Sequence, residues 1–96
     1  MRTLVYSPDA VSAITDIWQY TVATWGECQA DRYNRMIEAA VVSIASGALS
    51  GTSANAVRSG YRQLPVGKHT IYFQISDTEV MIMHVLHQKM DVVEEL

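Results

Sequence analysis

Apolar residues recur three and four apart at Val11, Ile14, Ile17, Trp18, Val22 and Trp25. This spacing predicts a helix from Pro8 to Trp25 with one buried stripe. Ser7 is placed to cap it, Pro8 fits its first turn, and Asp9 adds a favourable charge at its N-terminus. Gly26 is a natural stop. A second stripe follows at once: Ala30, Tyr33, Ile37, Ala40, Val41 and Ile44, ending at Gly47. So short a connection predicts two antiparallel helices packed side by side, with Ala30, Ala39, Ala40 and Ala45 allowing close approach.

Either side of this hairpin the period changes. Thr3 to Tyr6 is a short apolar run that reads as an N-terminal strand. Gly47 to Ala56 is small, polar and aperiodic, the pattern of a loop. Val57 to Val66 is a strand candidate that Pro65 confines to an edge or ends. His69, Ile71, Phe73 and Ile75 then alternate with Lys68, Thr70, Tyr72 and Gln74, a period of two. After a turn at Asp77-Thr78, Glu79 to His87 is apolar on both parities, as in a central strand or one with its second face covered. The expected fold class is α+β: an N-terminal strand, an antiparallel helical hairpin, then a three-stranded antiparallel sheet. With 96 residues it reads as a single domain over 1–96. The helices should cover one sheet face and leave the other open.

Composition narrows the function classes. Hydrophobic residues make up 49% and charged residues 18%, which reserves some apolar surface for a partner. No run approaches the roughly 18 apolar residues of a membrane helix, and the first residues lack the apolar core of a signal peptide. A single cysteine, Cys28, fits a reducing cytoplasm. A pI near 5.4 argues against general nucleic-acid binding. The charge is uneven, however, since no acid occurs between Ala39 and Ser76. Arg58, Arg62, Lys68, His87 and Lys89 can converge on one end of the sheet, a site for an acidic partner or a nucleic-acid backbone. The other reading is a solvated strand edge guarded by charge.

Catalytic chemistry finds little support. His84 and His87 lie three apart in a strand and point to opposite faces. Neither Cys nor carboxylate sits at ligand spacing beside them, so no metal and no cofactor is expected. Cys28 near a helix N-terminus reads as an idle thiol. Trp18 and Trp25 read as core, and Met81, Met83 and Met90 as core or interface filler.

Two sets of residues together resemble a known family. The helical half carries Ile17, Trp18, Tyr20, Trp25, Gly26, Gln29, Ala30 and Tyr33; the sheet half carries Gly60 to Phe73 and Val85 to Asp91. In this order and spacing, across about residues 4–96, they resemble the ParE toxins of the RelE/ParE superfamily, the toxin halves of type II toxin–antitoxin pairs. The resemblance implies a helix hairpin on an antiparallel sheet. It implies a ParD-like antitoxin partner in a two-to-two or higher hetero-oligomer, with operator DNA engaged only through the antitoxin. It also implies DNA gyrase as the target and a cytoplasmic protein without enzymatic activity. At His84 many relatives carry Arg, so a permanent charge is replaced by a titratable one.

Strand parity places Tyr72, Ile82, His84 and Leu86 on the open face, where a segment folding on binding could dock. The basic end of the sheet with the C-terminal tail is the expected target surface. The rival function in the superfamily is a RelE-like ribosome-dependent ribonuclease, which uses clustered Arg and Lys with a Tyr near the C-terminus. Here the tail is Asp91 to Leu96, with neither Tyr nor Arg. A third reading is a toxin that has lost its target and serves in a regulatory complex.

Overall fold

Residues 1–89 are described by the structure, a computed structural model. The order is β1 (Thr3–Tyr6), α1 (Pro8–Trp25), α2 (Glu27–Ser46), β2 (Thr52–Ser53), β3 (Arg62–Val66), β4 (His69–Ile75) and β5 (Glu79–His87). The strands form one mixed sheet in the order β1-β5-β4-β3-β2. β1 runs parallel to β5 and the other neighbours are antiparallel. The expected class therefore holds, with one additional strand: the predicted loop from Gly47 to Ala56 contains β2. The predicted strand from Val57 begins only at Arg62. Residues before it form a turn closed by Ala54 N–H to the Tyr61 carbonyl and Tyr61 N–H to the Arg58 carbonyl.

Ser7 caps α1 as expected: its hydroxyl accepts from Ala10 N–H at 3.0 Å and donates to the Met83 carbonyl at 2.6 Å. That second bond ties the helix start to the central strand. Gly26 adopts φ 90° and is the whole connection between α1 and α2. The buried line of α1 differs from the predicted stripe. Ala10 and Thr21 are buried and Ile14 and Ile17 pack on the core, whereas Val11 is 52% and Trp25 68% exposed. Positions 10, 14, 17 and 21 also keep the three-four spacing, and their small ends let α1 lie close to β5. The Thr21 hydroxyl is satisfied by the Ile17 carbonyl at 2.7 Å, so its burial leaves no orphan donor. On α2 the predicted line is the observed one: Ala30, Ile37, Val41 and Ile44 are buried, and Tyr33 and Ala40 pack against the core.

The helices cover one sheet face. Ile71 and Phe73 of β4 and Val80, Ile82 and Val85 of β5 meet them there. β5 changes parity between Ile82 and Val85 because it bulges: Tyr72 pairs with His84 but Phe73 pairs with Ile82, leaving Met83 as an extra residue. The opposite face carries a smaller cluster, Tyr72 with Tyr61 and Ala54, onto which Val57, Met83 and Leu86 pack.

Pro65 behaves as an edge residue. It pairs with Thr70 on one side, while β2 reaches only Arg62 and Gln63 on the other, so its missing N–H costs no ladder bond. At the β3–β4 turn Gly67 has φ 59°, and a Cβ there would come within 2.7–2.8 Å of Tyr33 and Met36. Only glycine lets the turn pack this closely on α2.

Candidate functional site

Of the four residues expected on the open face, three lie there. Tyr72 and His84 are cross-strand partners, and Leu86 pairs with Thr70 on the same side. Ile82 does not: it is fully buried under the helices, because the bulge inverts parity on its side of Met83. Nor is Tyr72 free. The Ala54–Tyr61 segment covers it and leaves it 3% exposed. Burial also raises its phenol pKa above the ordinary value.

His84 sits where three elements meet. Its ring is 6.4 Å from that of Tyr61, which lies under the Arg58 guanidinium at 5.9 Å. Burial lowers the His84 pKa, the Asp9 carboxylate on α1 opposes that shift, and Arg58 reinforces it.

The five basic residues do not converge on one end of the sheet. Lys68 occupies the β3–β4 turn, next to the end of β5. Gln88 N–H donates to the Lys68 carbonyl at 2.9 Å, and Lys89 N–H donates to His87 Nδ1 at 3.1 Å. These bonds gather Lys68, His87 and Lys89. Arg62 lies at the opposite end of β3, and Arg58 belongs to the turn over the open face. Arg62 is engaged internally, its Nε donating to the Ser50 carbonyl at 2.6 Å and its Nη2 to the Gly51 carbonyl at 3.2 Å. It staples the α2–β2 connection to β3. Gly51 has φ 62°, and a Cβ there would meet the Gln63 carbonyl oxygen at 2.3 Å, so this crossing is tight. Arg62→Ala should lower stability by about 1–2 kcal/mol through loss of two charge-assisted bonds, read as a fall in thermal midpoint. The C-terminal tail, expected to join the target surface, lies outside the described residues.

His69 and His87 form a cross-strand pair on the helix side, ring centroids 5.2 Å apart at 80°. His84 and His87 diverge as parity predicts, but His69 does not stand alone. The Tyr33 hydroxyl bonds to His69 Nδ1 and accepts from Lys68 N–H at 3.0 Å, fastening the turn to α2. That hydroxyl has a single proton, for which the Val66 carbonyl at 3.4 Å also competes, so the direction of its bond to Nδ1 is set by the His69 tautomer. Burial lowers the His69 pKa, and the neighbouring His87 lowers it further. Sequence reasoning placed Tyr33 on the buried stripe and had no signal for this bond.

A cleft of about 390 Å³ opens between α1 and β5, lined among others by Asp9, Asp16, His69, His84 and His87. Among the described residues no group of three or more His, Cys, Asp or Glu side chains is arranged to hold a metal. Both depressed histidines favour the neutral form in the folded protein. Where the folded pKa lies below the unfolded one, the unfolded chain takes up more protons as pH falls. Stability should therefore be fully present above the ordinary histidine pKa of about 6.5 and decline below it. Thermal melts at pH 7.5 and 5.5 should show a lower midpoint at 5.5, above the range where carboxylates titrate. Equal midpoints would contradict the assignment.

Among the described residues no helix is long and apolar enough to cross a membrane. Comparison with known proteins is consistent over nearly the whole chain. The family model described as "ParE toxin of type II toxin-antitoxin system, parDE" matches residues 4–92. A Mycobacterium tuberculosis protein named Toxin ParE1 is 34% identical over 87 residues, covering 90% of this chain and 89% of its own length. A Caulobacter vibrioides protein of the same name is 33% identical over 91 residues, covering 95% and 94%. A solved structure titled "Chromosomal ParDE TA system from P. aeruginosa" superposes with a TM-score of 0.77 over 91% of this chain and 96% of that one. At 19% identity it speaks to the fold.

Proposed function

We propose that this chain, which belongs to the family of ParE toxins of type II toxin–antitoxin systems, inhibits DNA gyrase in the cytoplasm by binding. In this reading it is held inactive by a ParD-like antitoxin in a two-to-two or higher assembly. The observation that carries binding over cleavage is that Arg62 is held away from Lys68, His87 and Lys89, so no arginine joins that group. Cleaving a phosphodiester by an activated 2′-hydroxyl needs charges gathered around one phosphate. Here β3 separates Arg62 from Lys68, and the Arg62 guanidinium serves two backbone carbonyls. His84 is biased toward the uncharged form by its surroundings.

Lys68, His87 and Lys89 form the candidate target surface. Lys68 and Lys89 are exposed, and the turn that carries Lys68 is fastened to α2 by Tyr33. A pair of ammonium groups carried on an anchored turn and strand end suits an acidic protein surface, where charge sets encounter rate and register. Arg58, exposed above Tyr61, is a further contact on the open face. For the antitoxin, Leu86 and His84 are the reachable members of the expected set. Tyr72 acts through the segment that covers it.

The test is a gyrase supercoiling assay run beside a cleavage assay on translating ribosomes, both with purified protein. Inhibited supercoiling with intact mRNA is the expected pair of results, and added antitoxin should reverse the inhibition. Cleaved mRNA with untouched supercoiling would replace this reading with the ribonuclease one. No effect in either assay, with antitoxin binding retained, would leave a regulatory partner.

A further inference from the structure

The β3–β4 hairpin turns on Gly67 and Lys68, with Val66 paired to His69 across it. Gly67 has φ 59°, and among the described residues only glycines have positive φ, so Lys68 keeps a negative one. Those signs are the pattern of a type II′ turn. The other favoured hairpin turn, type I′, differs by a flip of the central Gly67–Lys68 peptide and carries its second residue to positive φ. The orientation of that one peptide therefore decides the direction in which the Lys68 side chain leaves the turn.

The ladder ends at the Val66–His69 pair and makes no use of the central peptide. Both of its polar groups nevertheless have protein partners. Lys68 N–H donates to the Tyr33 hydroxyl on α2 at 3.0 Å, and the Gly67 carbonyl accepts from Gln88 Nε2 at 3.3 Å. A trans peptide aims its N–H and its carbonyl in opposite directions, so these bonds hold it from both sides. Tyr33 is seated firmly for this role: its hydroxyl also bonds His69 Nδ1, and its ring lies so close to the turn that a Cβ at Gly67 would meet it at 2.7 Å.

Gln88 also sets the relation between the turn and β5. Its backbone N–H donates to the Lys68 carbonyl at 2.9 Å, and its side chain reaches the His69 carbonyl at 3.4 Å. It stands between His87 and Lys89 in the chain. One residue thus ties the turn that carries Lys68 to the strand end that carries Lys89.

We infer that Tyr33 and Gln88 are positioning residues for target binding: they lock the Gly67–Lys68 peptide and present the Lys68 and Lys89 ammonium groups in one fixed relation to an acidic partner surface. The inference deepens the gyrase reading above and rests on it. Neither residue brings a charge of its own. A lysine side chain is long and flexible, so what the fold can set is its origin and its direction. Fixing both before encounter removes part of the ordering cost of association.

The test measures inhibition of gyrase supercoiling by the full chain, with exchange of the Lys68 amide followed in the free protein. Tyr33→Phe keeps the ring and removes the hydroxyl. It should free the Lys68 amide to exchange and weaken inhibition roughly fivefold, and adding Gln88→Ala should bring the loss to about tenfold. Lys68→Ala supplies the reading that a general loss of stability would not move. If Tyr33 acts through Lys68, Tyr33→Phe placed on Lys68→Ala should cause no further loss. Antitoxin affinity should be unchanged, and thermal midpoints report folding. Gln88 is exposed, so Gln88→Ala on the same two backgrounds carries the test should Tyr33→Phe fail to fold. Wild-type inhibition with a freely exchanging Lys68 amide would overturn the positioning role alone. So would an equal loss in the Lys68→Ala background, or a parallel loss of antitoxin affinity. A wild-type chain that leaves supercoiling untouched would overturn the gyrase reading and this inference with it.

Discussion

Replacement of Ile82 by alanine is expected to cost about 3 kcal/mol of folding stability, within the range for removing a fully buried large aliphatic side chain. For a domain of this length that corresponds to a fall in thermal midpoint of roughly 12–24 °C. Ile82 is completely buried, in one cluster with Phe73, Val80, Ala10 and Ile44. The other buried members of that cluster are held by both helices and the sheet, so little of the loss should be recovered by collapse. Leu86→Ala is the comparison: Leu86 is half-buried on the opposite face and should cost about 1 kcal/mol. Urea unfolding of both variants measures the difference. Equal costs would mean that β5 keeps one parity along its whole length and that the bulge at Met83 is absent.

That bulge marks where sequence reading stops. Alternation along β4 was legible because β4 is regular: His69, Ile71, Phe73 and Ile75 share one face, as their spacing predicts. β5 offered two apolar parities, and no residue type announces a bulge between Ile82 and His84. Parity counted from His84 therefore succeeds for Leu86 and fails for Ile82. The helix caps were legible because they depend on local chemistry alone, as at Ser7-Pro8 and Gly26. The α1 stripe was half legible. Positions 10, 14, 17 and 21 and positions 11, 18 and 25 both satisfy helical spacing. Hydropathy favoured the line containing the tryptophans, but close approach to β5 selects the one containing Ala10 and Thr21.

The binding surfaces follow the same division. The Arg58 to Lys89 interval reads as one basic patch along the chain, but β3 carries Arg62 and Lys68 to opposite ends. A guanidinium that satisfies the Ser50 and Gly51 carbonyls cannot be told from a free one in a sequence. The Tyr33 bond to His69 and the Lys68 amide is likewise set by tertiary packing, although Tyr33 itself belongs to the family pattern. The family was therefore legible over most of the chain, whereas the grouping of its charges was not.

The central claim is that this protein acts as a binding inhibitor through the ammonium groups at the β3–β4 turn and the end of β5. Its most direct test is the double charge reversal Lys68→Glu with Lys89→Glu, assayed for inhibition of gyrase supercoiling. Both side chains are exposed, so each substitution should alter stability by no more than about 0.5 kcal/mol. Antitoxin binding, proposed at Leu86 and His84 rather than at these lysines, should persist and serves as the control. Like charges placed against an acidic target cost several kcal/mol, so inhibition should weaken by about a hundredfold or more. Undiminished inhibition by the folded double variant would contradict the claim.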